Sequence, residues 1–303
     1  MFIIKYRNIF YAVSLLLVTA SFAAVIVWGL PLGIDFRGGS LLEVTYTEQR
    51  PSVAVVNNAL VTSGIHNARV QFIGDKGLLI RTRHLSEQEH QVMIAALQNS
   101  RLEGSDFEER RFESIGPVIG KELGRKALIA LALALVFILL YIAWAFRKVS
   151  HRFSSWKYGM VALVALFHDI IIPTGIFAFL GQWGIVEIDA LFVTALLTIL
   201  GFSIHDTIVV FDRVRENLKK FEHFSFSDVT ARSISETIVR SVNTSLTTLL
   251  VLLAVFFFGG DSVHYFALAL VLGIFFGTYS SIFIASPLLV TLEGFKKNTR
   301  VLK

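Results

Sequence analysis

Six stretches of this sequence are long and apolar enough to cross a lipid bilayer, and no other feature limits the fold as strongly. A spanning helix needs about 20 apolar residues. The stretches are Ile9–Leu30, Ala127–Phe146, Tyr158–Leu180, Ile188–Phe211, Ser241–Phe258 and His264–Leu292. Composition agrees, with 54% hydrophobic and 17% charged residues where a soluble domain averages about 25% charged. The first stretch has a rival reading as a cleaved signal peptide, because Ser21-Phe22-Ala23 resembles a small-x-small site. Its apolar run continues through Val25 to Leu30, beyond an h-region of about 7–15 residues. An uncleaved anchor is therefore expected.

Charge sets the orientation. Residues 31–126 carry 12 Lys/Arg and 12 Asp/Glu, so the net charge of +5 sits in the remainder. All 16 Lys/Arg of that remainder fall in the N-terminus, residues 147–157, residues 212–240 and the C-terminal tail. The short alternate loops, 181–187 and 259–263, hold none. By the positive-inside rule both termini are expected in the cytoplasm, with residues 31–126 on the far side. Lys121, Arg125 and Lys126 end a long loop, where the rule is weak. No basic cluster is interleaved with aromatics, so nucleic acid is not an expected partner. The chain has no Cys, which excludes disulfides, thiolate metal sites and cysteine nucleophiles.

Four parts follow: residues 1–30 with the first span, 31–126 as an extracytoplasmic domain with connectors, 127–292 with spans two to six, and the tail 293–303. Small residues four apart, Gly273 and Gly277 in the sixth span and Ala130 and Ala134 in the second, let helices approach closely where lipid supplies no hydrophobic drive. A packed bundle is expected.

Residues 40–115 read as βαββαβ, a ferredoxin-like α+β order. Leu41–Tyr46 is strand-like, Pro51–Thr62 helical, and Ala68–Ile73 and Leu78–Arg83 are strands joined by a Gly74-Asp75-Lys76-Gly77 turn. Ser86-x-x-Glu89 is a capping box that opens a helix to about Asn99, and Asp106–Ser114 closes as a strand. His66, His84 and His90 lack metal-ligand spacing and are expected on the surface. No metal site and no catalytic constellation is seen.

Ionisable groups within spans are expensive and mark function by default. There are two His-Asp pairs, His168-Asp169 in the third span and His205-Asp206 in the fourth. At 1.5 Å per residue the first lies roughly 17 Å from the cytoplasmic end and the second roughly 9 Å. Ser203 and Thr207 share a helix face, and Asp206 is three residues from Ser203. Asp212, Arg213, Arg215 and Glu216 follow at the cytoplasmic interface. Arg240 opens the fifth span, either as an ordinary basic flank or as a partner for Asp206. Each acid can be a packing carboxylate or a proton site. A carboxyl moved between an apolar surrounding and a nearby cation takes up and releases a proton. For each His, support by packing or hydrogen bonding stands beside direct proton carriage. Gly116-Pro117-Val118-Ile119-Gly120-Lys121 is one residue short of a P-loop, and neither HExxH nor GxSxG occurs. The sequence offers no ATP engine and no enzyme site.

Five ordered motifs resemble the SecD/SecF family of protein-export subunits. Gly33-Ile34-Asp35-Phe36-Arg37-Gly38-Gly39 looks like its signature after the first span. Ile115 to Leu123, with Gly116, Pro117 and Gly120, looks like its VGP–G–EL segment. Leu166-Phe167-His168-Asp169 resembles its LxHD pattern. Gly201 to Asn217, and Arg240 to Leu249 followed by Phe258-Gly259-Gly260, resemble two further blocks of its shorter, SecF branch. The resemblance implies an inner-membrane subunit of the resistance-nodulation-division superfamily that works with SecD, the SecYEG channel and YajC on unfolded exported polypeptide. It implies coupling to the proton-motive force without a cofactor. The family's membrane acid would fall on Asp206 and its essential arginine on Arg240, with hinges at Pro31–Gly39 and Gly116–Gly124. His205 departs from the family's usual Asn, which puts proton stoichiometry in doubt. Two rivals stand beside this reading, a half-size exporter of small molecules and a structural scaffold.

Overall fold

The computed structural model describes residues 2–102, 104–147 and 155–301. Residues 148–154 and 302–303, which hold part of the basic charge expected on the cytoplasmic flanks, lie outside the described residues. The chain divides into two compact units, Leu32–Leu128 and the remainder.

The remainder holds the helices that cross the membrane. A short α1 (Phe2–Lys5) leads into α2 (Arg7–Trp28). Then come α6 (Pro117–Ala145), α7 (Ser155–Gly181), α8 (Ala190–Lys220) and α9 (Phe226–Phe258). The last span is interrupted: α10 (Asp261–Ser280), a π-turn (Ser281–Ala285) and α11 (Ser286–Val301). Among the described residues six helical spans satisfy length and hydropathy.

Several helices outrun their apolar stretches. α6 begins ten residues before Ala127, because Pro117 suits a first helical position and an i,i+4 pair, Lys126–Glu122 at 2.8 Å, lies within the helix. The expected 116–124 connector is therefore helix from Pro117 onward. α8 runs nine residues beyond Phe211, and α9 starts 15 residues before Ser241. Their N-termini are capped: Asp189 accepts from the Phe192 amide at 2.8 Å in α8, and Ser225 from the Asp228 amide at 3.1 Å in α9.

Small residues set the closest contacts. A Cβ at Gly175 of α7 would lie 2.3 Å from Ser21 Cβ of α2. On α10, a Cβ at Gly273 would lie 2.1 Å from Ile199 Cδ1, and one at Gly277 3.0 Å from Ser203 Cβ. The GxxxG of the sixth span thus seats α10 on α8. The second small-residue pair makes no such seam: Ala134 packs only at the margin of a core built around Ile142, Tyr158, Leu166 and Phe211.

The Leu32–Leu128 unit has the expected element order. After α3 (Ile34–Arg37) come β1 (Gly39–Tyr46), α4 (Val53–Thr62), β2 (Arg69–Ile73), β3 (Gly77–Thr82), α5 (Glu87–Ser100) and β4 (Phe107–Ile115). The strands form one antiparallel sheet in the order β2-β3-β1-β4. Alternation on β1 buries Leu42, Val44 and Tyr46 against Leu60 of α4 and Met93 and Leu97 of α5. Each fully buried side chain of this size contributes about 1.5–3 kcal/mol. Ser86 and Glu89 form the capping box. Pro51 does not open its helix but precedes the N-cap, Ser52. His66 and His84 are exposed. The surface expectation fails for His90, which is 5% exposed. It stacks on Phe112 at 3.7 Å, and it belongs to the buried face of α5 with Met93 and Leu97.

The two glycine motifs meet within this unit. Gly38 (φ 76°) and Gly39 (φ 135°) adopt backbone open to glycine. A Cβ at Gly38 would lie 2.7 Å from Pro117 Cα, and one at Gly120 2.8 Å from the Gly38 nitrogen. A Cβ at Gly124 would meet Phe36 Cδ1 at 3.6 Å. Residues eighty apart in sequence thus form one backbone-to-backbone contact that no side chain could enter.

Candidate functional site

The polar centre of the bundle is built from four helices. α7 supplies His168 and Asp169. Pro173, four residues on within the continuous helix, cannot donate to the Asp169 carbonyl, so one helical hydrogen bond is missing there. α8 supplies Ser203 and Asp206, one turn apart. α9 supplies Ser245, and α10 supplies Thr278 and Ser280. The α8–α10 seam at Gly273 and Gly277 brings these hydroxyls to the acids.

Asp169 is fully buried and richly supplied. His168 Nδ1 is 2.8 Å from Oδ1. Ser203 and Ser280 donate to Oδ2 at 2.5 and 2.8 Å. The His168 ring is buried beside Tyr279, with centroids 6.0 Å apart. Its Nε2 has no hydrogen-bond partner among the described residues. Three short donors make this carboxylate an anchor joining α7, α8 and α10, since a buried acceptor is costly unless its bonds are made.

Asp206 is also buried, at 2% exposure, but held loosely. Ser245 Oγ is 3.3 Å and Thr278 Oγ1 3.5 Å from Oδ2. Each hydroxyl has one proton to give. The two hydroxyl oxygens are 2.5 Å apart, and Thr278 also reaches the Ile274 carbonyl at 2.9 Å. Two protons thus serve four contacts, and Asp206 cannot be saturated as an anion. A protonated Asp206 could donate to the same hydroxyl oxygens. The site accommodates both forms without rebuilding.

His205 is largely exposed, and its Nδ1 stands 3.8 Å from Asp206 Oδ1. Arg240 is exposed, and no ion pair joins it to Asp206 among the described residues. The sequence-based pairing of these two is thus not made: Arg240 lies five residues before Ser245, the α9 residue that faces the acid.

At the polar end of α8 the charged cluster ties α8 to α9. Arg213 bonds Glu216 and Glu236, each at 2.6 Å. Asn217 donates to Ser233 at 3.0 Å and to Glu236 at 2.9 Å. Asp212 pairs with Arg215 at 2.6 Å. The signature residues Gly33, Asp35, Gly38, Gly39, Gly116, Pro117 and Gly120 lie in the other unit and are not part of this centre. Sequence reasoning singled out Asp169, Asp206 and Ser203 but passed over Ser245, Thr278, Ser280 and Glu236. Hydroxyls within apolar spans were the signal available for three of them.

Comparison with known proteins is decisive. Residues 95–294 match the family described as "Protein export membrane protein SecD/SecF, C-terminal", and residues 26–49 match "SecD/SecF GG Motif". The chain belongs to the SecD/SecF family. The protein translocase subunit SecF of Thermobaculum terrenum is 44% identical over 96% of this chain and 94% of its own length. That of Anaerolinea thermophila is 39% identical over 95% and 92%. The crystal structure of SecDF, a translocon-associated membrane protein from Thermus thermophilus, superposes with a TM-score of 0.83 at 34% identity. It covers 96% of this chain, whereas this chain spans 38% of that one. A SecDF structure in a super-membrane-facing form gives 0.68 at the same identity. The GG motif of the SecD/SecF family coincides here with the Gly38–Gly39 backbone that α6 abuts.

Proposed function

We propose that this chain is the SecF-type accessory subunit of the Sec translocase, and that Asp206 is its proton-exchanging acid. The relatives that it matches are translocase subunits, and a SecD-type protein is the partner that the SecDF structures imply. With that partner the chain lies in the inner membrane, both termini cytoplasmic, beside the SecYEG channel and YajC. Proton flow through the membrane drives late movement of unfolded polypeptide outward.

The observation that carries this reading is the contrast between the two acids. Asp169 is saturated by three short donors, whereas Asp206 shares two hydroxyl protons at 3.3 and 3.5 Å. A transport cycle needs a group whose two protonation states are both housed, and Asp206 is that group. Asp169 and His168 brace it through Ser203 and Ser280. Arg240, exposed on α9, is the cation that a partner helix or a turn of α9 brings toward Asp206. His205, near Asp206 and open to its surroundings, hands protons to it. The Pro31–Gly39 connector, whose Gly38 is seated on the start of α6, carries the movement to the outer domain; the second expected hinge, Gly116–Gly124, is helix from Pro117 and moves as part of α6.

The test is export of a secreted reporter in cells whose sole SecF-type subunit carries Asp206→Asn, with SecD co-purification as the assembly control. Export is expected to fail while SecD still co-purifies. Normal export would make Asp206 a packing residue and favour a scaffold. Drug sensitivity with normal export would favour a small-molecule exporter.

A further inference from the structure

We infer that the crevice between α1 and α9 is a phospholipid site, with one acyl chain between the two helices and an anionic head group at Lys5 and Arg7.

The crevice holds about 360 Å³. Its walls are Phe2 and Ile4 of α1, Ala231, Ile234 and Ile238 of α9, and Phe283 of the π-turn. Ser235, which is exposed, is the one polar side chain lining it. Walls of this kind give water no hydrogen bonds, so an apolar occupant is favoured.

Its depth matches a lipid. Phe283 lies nine residues inside the end of the sixth apolar stretch at Leu292, roughly 13 Å. Ser235 lies six residues outside the start of the fifth at Ser241, roughly 9 Å. The crevice thus runs from the hydrocarbon into the head-group region.

Toward the hydrocarbon the crevice opens onto an apolar stripe. Val239, Val242, Leu246 and Leu250 follow Ile238 along one side of α9 and are 44 to 66% exposed. At about 100° per residue they share a sector of about 80°. The exposed polar residues Arg240, Asn243 and Thr247 fall beyond that sector. A contiguous exposed apolar stripe needs an apolar neighbour, and acyl chains supply it at this depth.

Charge selects the head group. Lys5 follows the wall residue Ile4, and Arg7 donates to the Ile4 carbonyl at 3.3 Å. Among the described residues neither forms an ion pair with a carboxylate. The acids of α9 near the crevice are engaged elsewhere. Glu236 pairs with Arg213 at 2.6 Å and Arg232 at 2.9 Å, and Asp228 accepts from Ser225 Oγ at 2.7 Å. Cations beside an apolar slot between helices suit an acidic phospholipid.

The full-length chain, assembled with its SecD-type partner in detergent, is titrated with phosphatidylglycerol or phosphatidylcholine of equal chain length. Native mass spectrometry counts the lipid retained; lipid held elsewhere on the complex is common to all variants and cancels. The unaltered complex should retain phosphatidylglycerol at about tenfold lower concentration than phosphatidylcholine. Ser235→Trp, which fills the crevice from an exposed position, should lose one retained lipid of either kind. Lys5→Gln with Arg7→Gln leaves the walls intact and should abolish the preference while phosphatidylcholine retention persists. Equal retention of the two lipids by the unaltered complex overturns the site. So does undiminished retention in Ser235→Trp, or a preference kept in full by the double variant. Loss of SecD co-purification in Ser235→Trp, with the preference unmoved in the double variant, places a helix of the partner in the crevice instead.

Discussion

Ser203 lies one turn before Asp206 on α8, yet its hydroxyl is given to Asp169 of α7, at 2.5 Å. The acid-bearing face of α8 is thereby pinned to the neighbouring helix. Ser203→Ala should leave a buried carboxylate short of a donor, which costs about 1.5–3 kcal/mol. A lower thermal midpoint of the detergent-solubilised protein would show it; an unchanged midpoint would mean that the bond carries no weight.

Asp169 and Asp206 should fail differently. Asp169→Asn cannot accept the three bonds now made to the carboxylate, since its amide presents donors toward other donors. Reduced folded yield and loss of SecD co-purification are expected, unlike the assembled but inactive Asp206→Asn. Equal recovery of both variants from membranes would contradict the division into anchor and exchanger.

Packing on the α8–α10 seam leaves no room for a methyl at Gly273, where Ile199 atoms stand 2.1 Å from the Cβ position. Gly273→Ala should cost about 1–3 kcal/mol through overpacking. Shortening the neighbour, Ile199→Ala in the same chain, should recover part of the loss. A double variant no more stable than the single one would place the strain elsewhere.

In the Leu32–Leu128 unit, the Arg83 hydrogen bond, followed by the Ser86 bonds, holds the Glu89 carboxyl down to about 2 from an ordinary 4.5. A depressed acid stabilises the fold above its unfolded value and loses that contribution as pH falls through the folded one. Protection of the first turn of α5 against amide exchange should therefore be full above about 4.5 and decline toward about 2. Arg83→Ala should move that decline to higher pH. An unmoved profile would exclude Glu89 as its source.

Tyr46 offers a change in the other direction. Burial pushes its phenol up to about 12, and its hydroxyl has no partner among the described residues. Tyr46→Phe removes an unsatisfied buried group and should raise stability by up to about 1 kcal/mol. Denaturation of the Leu32–Leu128 unit's signal at higher urea would register the gain, and a loss would reveal a water-mediated bond.

Much of this architecture was legible in order and little of it in depth. The apolar runs marked six spans, and Ser86 with Glu89 marked the start of α5, because both signals are local. Pro117 was also a local signal, a proline at a first helical position, but the charges after it masked the helix. Pro287, inside the stretch read as one unbroken span from His264 to Leu292, was the unused local signal of the interruption at Ser281–Ala285. His90 was misplaced because its type was weighed and its period was not: it stands three and seven residues before Met93 and Leu97 on one face. The division of labour between Asp169 and Asp206 was out of reach. It depends on which hydroxyls of α8, α9 and α10 arrive at each acid, and helix packing alone decides that.

The edge strand β4 closes the sheet with five charged residues in nine, Glu108, Glu109, Arg110, Arg111 and Glu113, and its pairing with β1 slips between Glu43 and Val44. An open, regular, apolar edge would act as a template for any extended chain that touched it. In the export role proposed above, the domain would meet such chains continually. The charges and the slipped register keep β4 from adopting them as a further strand, so the domain can stand in that traffic without being captured by it.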